Sequence, residues 1–171
     1  MYKNIKEKDI NLSISKKLQL KLEKLGAIVY LTRYGDYDLS VTNIQNRKRS
    51  DLSRRGNIIN RSKCDLYLSI HLNAEISSSY NGAQAFYSTN NDENKKIADI
   101  MQKEFKNKLN SKLNYKKITN LYLNKRVKQP GVLLEVGFLS NPNERYLLKT
   151  DDYQNKVANT ILNGVIKYFK G

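Results

Sequence analysis

The sequence has few of the residue types that usually build disulfides, metal centres and nucleophilic sites. Its 171 residues include one cysteine, one histidine, two prolines and no tryptophan. The single cysteine, Cys64, excludes an intramolecular disulfide and a cysteine-rich zinc knuckle, and a catalytic thiol would lack a second histidine to pair with. No apolar run approaches the roughly eighteen residues that a transmembrane helix needs. The first residues, MYKNIKEKDINL, also lack the apolar centre of a signal peptide.

Acidic residues are also scarce, and the formal net charge is +15 from 31 basic and 16 acidic side chains. This excess fits nucleic acid, another anionic polymer, or a lysine-rich surface that is merely solvated. In the densest basic stretch, 103–128, Tyr115 and Tyr122 are too few and too irregularly placed for a base-stacking platform. No common nucleic-acid motif is present, so we expect no nucleic-acid partner.

What the sequence does contain is a regular alternation of helical and strand-like patterns. Its composition, with 39% hydrophobic and 27% charged residues, is typical of a globular chain. The predicted helices are 7–25, 46–62, 91–113, 143–148 and a last helix capped by Asp151, and the predicted strands are 27–32, 65–71, 82–88, 121–127 and 131–136. This order predicts one α/β domain over residues 1–171. Its single mixed, mostly parallel sheet would carry helices on both faces, in a three-layer α/β/α arrangement like that of phosphorylase/hydrolase-like folds.

Two polar side chains interrupt the strands that are otherwise apolar. His71 lies near the end of the run LYLSIHLNA, on the same predicted face as Ser69, and α/β enzymes hold reactive groups at such strand ends. Glu135 lies within Val132–Phe138, where a glutamate is costly to bury unless it is paired, bound to a metal or kept neutral. Together they indicate a site. Structural roles remain open, with Glu135 paired to an arginine such as Arg126 and His71 as a satisfied histidine at the rim.

Several segments resemble one enzyme family. SIHLNA at 69–74, EKDINL at 7–12 and LLEVGFLSNPNE at 133–144 are similar to the zinc-dependent N-acetylmuramoyl-L-alanine amidases of bacterial cell walls, the type-3 amidase group. Residues 51–60 and 82–87 also resemble that family's helix before, and strand after, the histidine strand. The similar segments occur in the same order over the whole chain. They most resemble the amidase branch that acts on spore-cortex peptidoglycan.

The resemblance implies a zinc ion held by two histidines and a glutamate, with a water in the open position. By motif, Glu7 is the glutamate ligand, His71 is the later histidine ligand and Glu135 is the catalytic acid/base. Without the resemblance, Glu7 is an ordinary acid in the first turn of a helix. The implied substrate is peptidoglycan, cut between N-acetylmuramic acid and the first L-alanine of the stem peptide. The implied location is extracytoplasmic, in the cell wall or the forespore envelope.

The sequence departs from the family pattern at its start. Family members begin with a strand that carries the first zinc histidine, whereas only six residues precede Glu7 here and none is a histidine. We expect that the sequence starts at an internal methionine and is truncated relative to the family. The alternatives are an inactive, degraded amidase or a module that binds peptidoglycan without cleaving it. Asp9 and Asp36 could supply oxygen ligands, although nothing in their spacing favours either.

Overall fold

A computed structural model describes residues 5–41, 45–123 and 125–171. Within these ranges the chain forms five α-helices and four β-strands. In chain order they are α1 Glu7–Glu23, α2 Arg47–Ser62, β1 Tyr67–Asn73, β2 Gln84–Tyr87, α3 Glu93–Leu109, β3 Lys116–Lys117, β4 Gly131–Phe138, α4 Pro142–Leu148 and α5 Asp151–Lys170. None of the helices in these ranges combines the length and apolar character that crossing a bilayer requires.

The strands form a single sheet in the order β1-β4-β2-β3. β1 is parallel to β4 and β2 is parallel to β3, whereas β2 and β4 are antiparallel. The prediction of a single mixed, mostly parallel sheet is therefore confirmed. The central strand, β4, is the apolar run that contains Glu135.

Side-chain alternation along β4 separates the main core from the face that carries the site. Val132, Leu134 and Val136 are fully buried in the core. That core is completed by apolar side chains of α1, α3 and α5, among them Ile10, Ile14, Ile97, Met101, Phe105, Val157 and Ile161. Because alternate residues of a strand point to opposite faces, Glu135 lies on the other face.

The α2 helix covers part of this second face. Its Ile59 packs with Tyr67 of β1 and with Val127 in a smaller buried cluster. Tyr67 pairs with Gly131 of β4, and a Cβ at Gly131 would lie only 2.2 Å from the Tyr67 ring. Helices therefore lie on both faces, as predicted, while the part of the second face around His71 and Glu135 is only partly buried.

Two predicted strands are wrong. Residues 27–32 are β-rich in sequence but form no strand, and Ile28 and Tyr30 are largely exposed. A strand exists through hydrogen bonds to a neighbour, and β-propensity alone does not supply one. In the segment 121–127, of which residue 124 lies outside the described residues, the amides of Lys125 and Val127 donate to carbonyls four residues earlier. Those amides are therefore not available to a sheet.

Several helix ends differ from the prediction by one or more residues, and two of these differences have a clear local reason. The helix predicted to reach residue 113 ends at Leu109, because Asn110 adopts a left-handed conformation and its N–H donates to the Phe105 carbonyl. The last helix is capped by Thr150 rather than by Asp151. The Thr150 side chain accepts from the Tyr153 N–H, which makes Asp151 the first helical residue.

Candidate active site

Strand register places His71 and Glu135 side by side. His71 of β1 pairs with Glu135 of β4, which in turn pairs with Gln84 of β2. Paired residues on neighbouring strands point to the same face, with strands about 4.8 Å apart. The two side chains singled out by their polarity therefore share one face of the sheet.

Glu7, in the first turn of α1, lies beside His71. One of its carboxylate oxygens, Oε1, lies within hydrogen-bond distance of His71 Nδ1, at 3.1 Å. The same oxygen accepts hydrogen bonds from the Leu72 backbone N–H at 3.2 Å and from Asn11 Nδ2 at 3.1 Å. Burial alone would raise the pKa of Glu7, but the hydrogen bonds from His71, Leu72 and Asn11 outweigh burial and lower it. Glu7 is therefore held as a carboxylate against His71.

The second ring nitrogen of His71 also has a partner. Its Nε2 lies 3.0 Å from the hydroxyl oxygen of Ser69, two residues earlier on the same face. A hydroxyl can donate or accept, so it can accompany either neutral tautomer of the imidazole. When the proton is on Nε2 and is donated to Ser69, Nδ1 presents a lone pair beside Glu7.

Glu135 is more deeply buried than Glu7. Within the described part of the chain, its Oε2 atom is buried and has no hydrogen-bond partner. Burial raises the pKa of Glu135 to about 7; His71 lowers the value and Glu7 raises it by smaller amounts. A carboxyl group with this pKa can both take up and release a proton near neutral pH.

Glu144 belongs to the site's support, and sequence reasoning gave it no role. Its Oε2 accepts from the Phe138 N–H at 2.7 Å and its Oε1 accepts from the Gly82 N–H at 2.9 Å. Asn141 caps α4, and Glu144 is the third residue of that helix. The sequence NPNE carries the signal of a helix start with an acid at this position, but the long-range contact with Gly82 cannot be read from spacing.

The other residues that the sequence suggests as partners of Glu135 or as metal ligands make different contacts in the structure. Arg126 donates to the Tyr122 hydroxyl at 2.5 Å and does not pair with Glu135. Asp9 and Asp36 both form ion pairs with Lys8. The structure therefore brings Glu7, His71 and Glu135 together, and gives Asp9, Asp36 and Arg126 other contacts.

Comparison with known proteins identifies the family. The family model described as N-acetylmuramoyl-L-alanine amidase matches residues 1–167. The chain belongs to the N-acetylmuramoyl-L-alanine amidase family. The family resemblance seen in the sequence is thereby confirmed.

Two curated amidases of Bacillus subtilis (strain 168) are similar to this chain. The germination-specific N-acetylmuramoyl-L-alanine amidase is 42% identical over 167 residues, which cover 95% of this chain and 70% of that protein. The amidase LytC is 32% identical over 166 residues, covering 96% of this chain and 31% of LytC. The similarity to LytC therefore concerns only part of that larger amidase.

Solved amidase structures share the fold. The CwlD amidase from Clostridioides difficile, solved in complex with the GerS lipoprotein, matches with a TM-score of 0.93 and 38% identity, covering 98% of this chain and 88% of that one. The catalytic domain of the amidase CwlV from Bacillus (Paenibacillus) polymyxa var. colistinus matches with a TM-score of 0.84 and 30% identity, covering 98% and 87%. The predicted α/β architecture is thus that of solved amidases.

Part of the donor set in this amidase chain fits a tetrahedral metal ion. Glu7 Oε1 and His71 Nδ1 lie 3.1 Å apart. Two ligands of a tetrahedral zinc ion, each bound at about 2.0–2.1 Å, lie about 3.3 Å apart. Across residues 5–41, 45–123 and 125–171, no group of three His, Cys, Asp or Glu side chains gathers as a metal cluster. The described residues therefore bring together two of the three protein ligands that the family resemblance implies.

Proposed function

We propose that this chain hydrolyses the amide bond between the lactyl group of N-acetylmuramic acid and the L-alanine of the stem peptide in peptidoglycan. One observation carries the proposal. In a chain of the amidase family, His71 and Glu135 are paired across neighbouring strands, and Glu7 lies within hydrogen-bond distance of His71. The substrate is inferred from the family and from the similar amidases.

Glu7 and His71 are the residues that would hold a zinc ion. When bound, such an ion lowers the pKa of its water and polarises the substrate carbonyl. The two side chains are oriented for this role before loading, because Asn11 and the Leu72 N–H fix Glu7 and Ser69 supports the His71 ring. Partners of this kind set the tautomer and angle of a metal-binding side chain.

Glu135 would move the protons. As a carboxylate it accepts a proton from the attacking water, and as a carboxylic acid it donates that proton to the nitrogen of the departing L-alanine. Both steps suit a group whose pKa burial raises to about 7. Its Oε2 is buried and has no partner among the described residues, which favours the protonated form of the carboxyl group.

The site of action follows from the substrate. Peptidoglycan lies outside the cytoplasmic membrane, so we infer that the reaction is extracytoplasmic, in the cell wall or the forespore envelope. The similarity to the germination-specific amidase of Bacillus subtilis and to the probable cell wall amidase LytH of Staphylococcus aureus supports this location.

The test identifies the bond that is cut. Purified peptidoglycan fragments are incubated with the zinc-supplemented chain in water enriched in heavy oxygen, and the products are analysed by mass spectrometry. The proposal predicts stem peptides with a free L-alanine amino group, and heavy oxygen in the lactyl carboxylate of the muramic acid. Addition of a chelator should stop their formation. Retention of the chain on peptidoglycan with no peptide release, or label in a sugar hydroxyl, would contradict the proposal.

A further inference from the structure

The regular pairing of β1 with β4 is interrupted immediately after the pair formed by His71 and Glu135. His71 pairs with Glu135, but the next pair is Asn73 with Phe138. β4 therefore contains one more residue than β1 in this interval, a β-bulge at residues 136–137. A bulge bends its strand and changes the direction of nearby side chains. The orientation of Glu135 therefore depends on what holds this bulge.

The carboxylate of Glu144 holds it from two sides. One oxygen accepts from Phe138, the first residue of β4 after the bulge, and the other accepts from Gly82, just before β2. β2 is the strand that pairs with Glu135 through Gln84. A single carboxylate thus joins the two strands where their pairing ends, with charge-assisted hydrogen bonds that are stronger than neutral ones.

Glu144 is itself fixed in place by α4. The Asn141 side chain accepts from the backbone N–H groups of Asn143 and Glu144, at 3.0 and 3.1 Å. At the other end of α4, Leu148 is fully buried against Gly137 of the bulge. The helix is therefore held at both ends, by the Asn141 cap and by Leu148, while it presents the carboxylate to the bulge.

We propose that Glu144 is a positioning residue for hydrolysis, which directs the Glu135 carboxylate by holding the bulge beside it. This inference rests on the proposed function. Loss of the carboxylate leaves the Phe138 and Gly82 N–H groups without their acceptor and frees the bulge to relax. Glu135 then moves, while Glu7 and His71 stay in place because they belong to α1 and β1.

The test separates bond cleavage from folding and from metal binding. With the zinc-loaded chain and a soluble muropeptide, kcat, KM and the Kd for zinc are measured for the wild type, Glu144→Gln and Glu144→Ala. The matched control is Thr150→Ala, which removes the α5 cap at the Tyr153 N–H and the hydroxyl bond to the Leu147 carbonyl at the end of α4, and costs about 1 kcal/mol. It leaves in place the acceptors of the Phe138 and Gly82 N–H groups. Rates are expressed per folded chain, taken from the unfolding curve of each variant.

We expect kcat to fall about tenfold in Glu144→Gln, which keeps one carbonyl acceptor, and about a hundredfold in Glu144→Ala. KM and the Kd for zinc should stay near their wild-type values, and Thr150→Ala should keep the wild-type kcat. A wild-type kcat in Glu144→Gln, or a loss of zinc affinity that accounts for its lower rate, overturns the inference. If Glu144→Ala does not fold, the isosteric Glu144→Gln decides. A wild type that releases no stem peptide would instead contradict the proposed function.

Discussion

At the scale of single residues, His71 has a different partner at each ring nitrogen. Nδ1 faces Glu7 and Nε2 faces Ser69. Histidines that bind metals usually donate their other ring N–H to a second group, which fixes the tautomer. The Ser69 hydroxyl is placed to accept this bond. In the zinc site proposed above, it would keep the Nδ1 lone pair available to the metal ion.

Ser69→Ala should weaken zinc binding by roughly tenfold or more, because the Nε2 proton loses its acceptor. Ser69→Thr keeps a hydroxyl and serves as the matched control. Affinity is measured by competition with a chromophoric chelator. His71 is the only histidine in the sequence, so the NMR shifts of isotope-labelled histidine also report its tautomer directly. An unchanged Kd in Ser69→Ala would show that the hydroxyl has no part in metal binding.

Glu135 should make the metal-free chain less stable as the pH rises. Its pKa is raised from 4.5 to about 7 in the folded state, mainly by burial. Between these values the folded state keeps a proton that the unfolded state has lost, so the free energy of unfolding falls with rising pH and levels off above about pH 7. The difference between the two pKa values corresponds to on the order of 3 kcal/mol.

Urea unfolding at about pH 5 and about pH 8, with a chelator present, measures this effect. The Glu135→Gln variant cannot titrate at this position and should lose that part of the pH dependence. If the free energy of unfolding depends on pH equally in the wild type and in Glu135→Gln, burial does not raise the pKa of Glu135, and the prediction is contradicted.

At the scale of secondary-structure elements, β4 and its bulge determine the geometry of the site. The strand itself is readable from the sequence, because the run from Val132 to Phe138 is apolar enough to be a central strand. The bulge is not readable, since it depends on the register with β1 and on the contact between Glu144 and Gly82, which are distant in the chain. The prediction of a strand at 27–32 is wrong for a similar reason. The sequence there favours a strand, but a strand also needs a neighbouring strand to pair with.

Gly137→Ala should destabilise the fold and lower activity. Gly137 has a φ of +154°, and an added Cβ would lie 3.2 Å from Leu148 Cδ1. Backbone strain of this kind costs about 1–3 kcal/mol, and the close contact adds to it. Gly26→Ala is the control, because Gly26 also has a positive φ, +87°, but nothing lies within 4 Å of its added Cβ. Urea unfolding should show the larger loss for Gly137→Ala, and an equal or smaller loss would contradict a tightly packed bulge.

At the scale of the whole molecule, the sequence predicts the architecture better than the mechanism. The α/β class, the mixed sheet and the positions of His71 and Glu135 follow from apolar patterns, and the family follows from the motifs around them. The contact of Glu7 with His71 depends on how α1 packs against β1, and only the family resemblance pointed to it. The net charge of +15 favours anionic polymers in general, and therefore contributes little to the choice of substrate.

The central claim is that Glu135 transfers protons in the hydrolysis of the muramoyl–L-alanine amide. The most direct measurement is kcat for zinc-loaded wild type and Glu135→Gln on the same muropeptide, with Asp152→Asn, an exposed acid of α5, as the matched control. A proton-transfer role for Glu135 predicts that kcat falls about 10²–10⁴-fold in Glu135→Gln, with zinc binding retained, and does not fall in the control. An unchanged rate of stem-peptide release by Glu135→Gln would contradict it.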